Sequence, residues 1–222
     1  MRRHRLNTLS GFLIVTGVAL VMLSFGPVLL DELWYGLKQL KKQAYFLSGK
    51  APDEAVEDSV FARFLSTRPI SIEPVNKDFA IVIEKIGVNA PIVADVSVTD
   101  EKAYMEALKN GVAHSLTSKY PSENPGNTYL FAHASIDFWR MGKYSKVFNL
   151  LRKLEYGDRI HVFYKGDTYV YEVNNKEIHK GWNTYAITRP VLEPVLTLQT
   201  CDPPGTTINR LVVTATLIDI IE

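Results

Sequence analysis

Cysteine is nearly absent from this chain: 222 residues carry one, Cys201. A single thiol excludes a disulfide framework and a cysteine-based zinc cluster. An excess of one charge sign is missing too. The formal net charge is +1 with both signs interspersed, so the basic footprint that nucleic-acid binding needs is lacking and no such partner is expected. The chain shows no internal repeat and no low-complexity tract. Scattered acids such as Glu172, Glu177 and Glu193 read as solvated surface, and neither a metal site nor a cofactor is expected.

Hydrophobicity, by contrast, is concentrated at the start. After Met1-Arg2-Arg3-His4-Arg5 the chain runs from Leu6 to Leu30 without a charge, then meets Asp31 and Glu32. At about 1.5 Å per residue this run outlasts the ~30 Å hydrocarbon core of a bilayer. A cleaved signal peptide is the competing reading, but the apolar stretch is longer than the usual h-region and no Ala-x-Ala site follows. Arginines on one side and acids on the other favour a cytoplasmic N-terminus. The expected localisation is therefore the cell membrane, single-pass, with the remainder of the chain outside. There an unpaired thiol is open to oxidation and needs a reason to be present.

Residues 31–78 read as an extracellular stalk. Leu33, Leu37, Leu40 and Ala44 suggest a juxtamembrane helix, Val60 to Leu65 a short second one, and Pro69 and Pro74 break what precedes the domain. A solvated spacer and a segment that folds over a site are both open. From Phe79 onward β-branched residues dominate. Ile81 to Val88 read as a strand entering a turn at Gly87-Val88-Asn89, with Pro91-Ile92-Val93 as its continuation. Thr99 is placed to cap a short helix that Asn110-Gly111 ends. Tyr129 to Ala132 form a strand leading into His133. Ser145 opens a second helix carrying Val147, Leu150, Leu151 and Leu154. Arg159 to Tyr164 and Thr168 to Val173 alternate across Lys165-Gly166-Asp167 as a hairpin, and Val195 to Thr200 and Leu211 to Ile218 add two more strands. Short strands without regular strand–helix alternation predict an all-β domain over 79–222, a closed or nearly closed barrel with short helical insertions. The expected organisation is a tail over 1–5, an anchor over 6–30, the stalk, and this barrel.

Thr197-Leu198-Gln199-Thr200-Cys201, then Arg210, with His133 at an upstream strand end, resembles the sortases, the membrane-anchored cysteine transpeptidases of the bacterial cell surface. Ile83-Glu84-Lys85-Ile86-Gly87-Val88-Asn89-Ala90-Pro91-Ile92, Gly111-Val112-Ala113-His114 and Pro125-Gly126-Asn127-Thr128 also match the family in order and spacing. One departure is Ala132 where many sortases carry glycine before the histidine. The resemblance implies an eight-stranded barrel and a groove for a C-terminal sorting signal of the Leu-Pro-X-Thr-Gly type, whose carbonyl passes to an amine. The implied partners are surface proteins bearing that signal, an amine acceptor (a cell-wall precursor or a pilin lysine), and the lipid bilayer. The subclass stays open. A pilus-type enzyme fits less well, because no second apolar span follows the last strand and no Asp-Pro-aromatic motif stands upstream.

The chemistry follows from the residue types. Cleaving an amide at neutral pH needs a strong nucleophile, a proton for the leaving amine, and a cation where the carbonyl oxygen becomes anionic. Cys201 can attack as thiolate to give a thioester, which an amine can displace. His133 titrates near working pH and can protonate the leaving amine, then take a proton from the incoming one. Arg210 stays charged and offers planar N–H donors. His114 is a rival for the base but lies in a loop; His161 and His179 read as structural or surface. Expected substrate contacts are Ala132 and Ala134 beside the histidine, Thr197, Gln199 and Thr200 before the thiol, and Trp182 in the 176–194 loop that would wall the groove. The alternatives are a hydrolytic or pilin-polymerising variant of the same site, and an anchored barrel that only binds peptide. If the run from Leu6 to Leu30 is an uncleaved anchor, the cell-associated protein retains its N-terminus, and protease added outside intact cells digests the chain beyond Asp31. A released protein beginning near residue 30 would show a signal peptide instead.

Overall fold

Phe79–Ile83 (β3) is apolar at every position because both of its faces are covered. Ile81 and Ile83 point into the main core, whereas Ala80 and Val82 meet Ile72, Phe163, Tyr45 and Leu47 on the other side. The structure is a computed structural model, and it describes residues 2–48, 69–134, 143–144, 146–181, 183–204 and 206–222. The short helix expected over Val60 to Leu65, together with Ser145 and Trp182, lies outside the described residues.

Two short strands, β1 (Tyr45–Leu47) and β2 (Ile70–Ile72), pair in parallel and form the outer cover of β3. The others are β4 (Val88–Val96), β5 (Val112–Ser115), β6 (Gly126–Phe131), β7 (Arg159–Tyr164), β8 (Asp167–Lys180), β9 (Pro194–Asp202) and β10 (Asn209–Ile221). Eight of these strands close a barrel in the order β10-β8-β7-β3-β4-β5-β6-β9. The barrel is mixed rather than purely antiparallel, since β4 runs parallel to β5 and β6 parallel to β9. Parallel neighbours need a crossover connection. Helix α2 (Glu101–Asn110) supplies the first, and the β7–β8 hairpin lies within the second.

The expected barrel is present, and several local details differ. Pro91 to Val93 do not continue the first strand; they turn back along it, with Ala80 opposite Pro91 and Ile83 opposite Val88. A single 3-10 turn, Glu84–Ile86, ends at Gly87 with φ 66°, and this left-handed residue makes the reversal. The cap of α2 is Asp100, whose carboxylate accepts from the Ala103 N–H at 3.0 Å, while Thr99 bonds back to Ser97. The second expected helix is instead a series of i→i−3 turns ending in the 3-10 segment Leu151–Lys153. Its buried residues explain why: Phe148, Leu151 and Leu154 recur every third position, which is the 3-10 period. The 176–194 loop is shorter than expected, because β8 continues to Lys180 paired with Asn209 of β10.

Helix α1 (Arg2–Leu40) carries the apolar run. Among the described residues no single helix is long and apolar enough to cross a membrane; the halves Gly11–Leu23 and Val28–Leu40 pass that test together but meet at 58°. Gly26 and Pro27 stand at the break, where proline removes a helical donor and kinks the helix. Phe12, Ile14, Val18 and Leu20 are all exposed. Beyond the break α1 is fastened to the barrel: Asp31 bonds Lys146 at 2.8 Å and Asn149 at 3.1 Å, and Glu32 pairs with Lys153 at 2.7 Å. Lys38 is buried over the Tyr45 ring at 4.0 Å, and that burial holds its amine down to about 8.

Gly87→Ala tests how far this junction depends on the tight turn. A Cβ there would lie 2.6 Å from the Tyr45 ring in a left-handed conformation, so the variant should lose about 1–3 kcal/mol, read as a lower unfolding midpoint of the full chain in detergent. An unchanged midpoint would show that the turn relaxes freely.

Candidate active site

Alternation along paired strands places every second residue on the same face. On β6, β9 and β10 one face carries Leu130, Leu198 and Val213 into the barrel core. The opposite face forms three rows. Tyr129, Thr197 and Thr214 make one, Phe131, Gln199 and Val212 the next, and Cys201 with Arg210 the last. The parallel β6–β9 pairing ends at Phe131 and Gln199, and His133 and Cys201 each follow two residues further along their own segments.

Two hydrogen bonds hold the chain on course past the end of β6. The Ala132 N–H donates to the Gln199 carbonyl at 3.1 Å, and the Thr200 hydroxyl donates to the Ala132 carbonyl at 2.9 Å. Tyr104 of α2 then fixes the flank, stacking on Phe131 with ring centres 5.2 Å apart and standing edge-on to His133 at 6.0 Å. Arg210 Nη1 lies 3.5 Å from Cys201 Sγ, and it also donates to the Thr207 and Asn209 carbonyls at 3.3 and 3.2 Å. These carbonyls aim the guanidinium without neutralising it. Asp202, the next residue, meets Arg152 at 3.7 Å.

Cys201 is partly buried, and burial pushes its thiol above the ordinary value while the Arg210 charge pulls it back. The Tyr104 phenol is raised as well, first by burial and then by the neighbouring Cys201, against the opposing pull of Arg210. A thiol that ionises late next to a fixed cation is neutral at rest. Its thiolate is strongly nucleophilic once formed, and a carbonyl placed between Sγ and the guanidinium has a nucleophile on one side and an oxyanion donor on the other.

The expected substrate contacts separate into kinds. Gln199 is half-buried on the face of the thiol, and Ala132 and Ala134 are buried beside His133. Thr197 is fully buried, with its hydroxyl donating to Asn127 Oδ1 at 2.8 Å, and Thr200 points to the opposite face with its hydroxyl used on Ala132. His114 is buried between Asp95 and Ser118 in an arrangement like a proton relay. Its Nε2 lies 3.1 Å from the Lys119 carbonyl, which can only accept, so Nε2 carries the proton and Nδ1 accepts from the Asp95 N–H. That tautomer makes it a structural pin. His161 sits on β7 opposite Val82, three strands from β9 in barrel order. His179 lies opposite Arg210 on β8 and bonds Glu177 at 2.8 Å. Among the described residues no group of three His, Cys, Asp or Glu side chains is placed to hold a metal ion.

Sequence reading missed Tyr104, Asn127 as a tie between strands, and Arg189. The last follows the short helix α3 (Tyr185–Thr188), which Asn127 holds by donating to the Ala186 carbonyl at 3.1 Å. The placement of Asn127 inside the quoted Pro125-Gly126-Asn127-Thr128 motif was the available signal. Tyr104 and Arg189 left none, because each acts through packing against a strand distant in sequence.

A family model described as the Sortase domain matches residues 81–218. In structure the chain is similar to sortase C-1 from Actinomyces oris, with TM-score 0.53 and 28% identity over 65% of this chain and 76% of that one. It is similar to a Clostridium perfringens sortase D5 transpeptidase at TM-score 0.52 and 27% identity, covering 67% of this chain and 82% of that one. Sortase A from Corynebacterium diphtheriae shares the fold at TM-score 0.54 and 21% identity, over 65% and 61% of the two chains. The family-model match over 81–218 carries the family, the structural likenesses agree in fold, and the subclass stays open. No curated protein matches the chain by sequence.

The balance at the thiol sets a pH dependence. Because the thiolate is the form that alkylates and burial raises the pKa of Cys201, the iodoacetamide rate should climb with pH to a midpoint above that of an ordinary cysteine. Removing the cation in Arg210→Gln should move the midpoint higher still. A midpoint that falls or stays in that variant would show that the two groups are not coupled.

Proposed function

This chain belongs to the sortase family, and from that premise we propose that it is a membrane-anchored cysteine transpeptidase acting on a C-terminal sorting signal of the Leu-Pro-X-Thr-Gly type. Residues 1–5 form a cytoplasmic tail, 6–30 the anchor, 31–78 an extracellular stalk and 79–222 the catalytic barrel. The exposed apolar side chains along Gly11–Leu23 support the anchor, because such a face in water would be costly. Carrying the reading is one observation: Arg210 lies directly across from Cys201 with its guanidinium 3.5 Å from the sulfur, at the end of the strand that the His133 segment runs beside.

In this mechanism His133 takes the proton of the Cys201 thiol, and the thiolate so formed attacks the carbonyl of the threonine-like residue. The carbonyl π electrons move to oxygen, which accepts N–H donation from Arg210. Collapse of the tetrahedral species breaks the C–N bond, and His133 in its protonated form delivers a proton to the departing amine. The thioester left on Cys201 is attacked by an incoming amine, supplied by a cell-wall precursor or another surface protein. His133, now neutral, takes the proton of that amine as the thiolate leaves. Gln199, Ala132, Ala134 and Trp182 are assigned to the groove that holds the signal, while Thr197 and Thr200 shape its floor from below through their bonds to Asn127 and Ala132.

The test uses the full chain in detergent with fluorogenic signal peptides, with and without added amines. Wild-type protein should form a thioester and pass it to the amine; Cys201→Ala should form none while keeping the barrel folded. Arg210→Lys keeps the charge and loses the planar fork, so turnover should fall by about 10²–10³ with the thiol still open to alkylation. Activity retained in the alanine variant would overturn the reading, and near-normal turnover in the lysine variant would remove Arg210 from the oxyanion role.

A further inference from the structure

The face that carries Cys201 and Arg210 carries a second arginine at its other end. Arg189 Nη2 donates to the Thr214 hydroxyl at 2.8 Å and lies 3.5 Å from that of Thr197. These two threonines are a cross-strand pair, as are Cys201 and Arg210, and the pairs are four residues apart on both strands. At about 3.3 Å per residue the separation is roughly 13 Å. Only the row of Gln199 and Val212 lies between them.

Arg189 is held in place but is not neutralised. The backbone N–H of Arg189 closes the α3 turn on the Tyr185 carbonyl at 2.9 Å, and α3 is tied to β6 through Asn127. Its guanidinium bonds two neutral hydroxyls, its Nε has no hydrogen-bond partner, and among the described residues no carboxylate lies within ion-pair distance of it. Glu177, on the neighbouring strand β8, feels its charge but is already bonded to Asn175 at 3.0 Å and His179 at 2.8 Å. Glu193, near the start of β9, lies 3.4 Å from the Thr216 hydroxyl. A half-buried guanidinium with donors to spare, at the edge of a binding face, suits a carboxylate from outside.

We propose that Arg189 forms an acidic-residue subsite for the substrate, taking an Asp or Glu side chain four residues upstream of the residue whose carbonyl reaches Cys201. An extended peptide laid along this face with its reactive carbonyl at Cys201 and Arg210 spans the same ~13 Å in four residues. In a Leu-Pro-X-Thr-Gly type signal that position is the residue just before the leucine. The subsite selects among sorting signals rather than speeding the chemistry, so its effect falls on substrate binding. This inference rests on the sortase reading above.

The experiment compares Leu-Pro-X-Thr-Gly peptides that carry Asp, Asn or Lys immediately before the leucine, using the full chain in detergent. Wild-type protein should cleave the Asp peptide with kcat/KM about tenfold above the Asn peptide, the scale of one charged hydrogen bond, with the difference in KM and the Lys peptide poorest. Arg189→Gln should erase the preference while leaving kcat on the Asn peptide unchanged. Arg189→Lys should keep a reduced preference, which guards against a merely structural loss in the glutamine variant. Equal cleavage of the three peptides by wild type, or a preference that survives Arg189→Gln, overturns the subsite and leaves the enzyme reading intact. Cleavage of none of them fails the sortase reading itself and the subsite with it.

Discussion

In the proposed reaction a thiol must stand beside a cation and still face the substrate, and in this fold one antiparallel register meets both demands. The β9–β10 pairing sets Cys201 opposite Arg210 near the end of the ribbon that a short connection closes, so each side chain is placed by the strand opposite as well as its own. A slip of one residue would turn one of them into the barrel. Leu198 and Val213, fully buried on the inner face, resist that slip, because a shift of β9 would replace Leu198 there with Thr197 or Gln199, and a shift of β10 would replace Val213 with Val212 or Thr214. The hydrophobic core therefore enforces the geometry of a polar pair that contributes nothing to that core.

The second constraint is the parallel contact between β6 and β9. These strands are far apart in sequence, with the β7–β8 hairpin between them, and only barrel closure makes them neighbours. Clamping of Ala132 between Gln199 and Thr200 converts that adjacency into a position for His133. Burial and charge then oppose one another at the sulfur. Desolvation is the larger influence and keeps the thiol protonated, while the guanidinium makes the thiolate reachable. A resting thiol is less exposed to oxidation than a standing thiolate, since oxidation follows thiolate character.

Much of this was legible residue by residue. The β7–β8 hairpin was announced by Lys165-Gly166, both of which adopt positive φ between alternating strands. The last two strands were read from their β-branched runs. The far half of β8, Lys176 to Lys180, was not, because it pairs with β10 beyond the end of β7 and buries no continuous face, so no alternation marks it. The 3-10 segment at Leu151 was misread as α-helix, since apolar spacings of three and four occur in both and only the burial of Phe148, Leu151 and Leu154 separates them. The floor threonines were chosen for proximity to Cys201, yet their hydroxyls were already committed within the protein.

By itself the sequence determined the chemistry available to this protein: one thiol, one histidine at a strand end and one arginine on the following strand, behind an apolar run. It also determined that the core would be a barrel, because period-two apolar patterns recur without helical alternation. Only the tertiary structure decided which groups meet. Tyr104 comes to His133 through helix packing, Asn127 reaches Thr197 and Ala186 across strands, and Arg189 arrives over Thr197 and Thr214 by way of a four-residue helix. Local pattern encodes which face of an element is buried, whereas contacts between elements depend on register and closure, quantities set by the whole barrel at once.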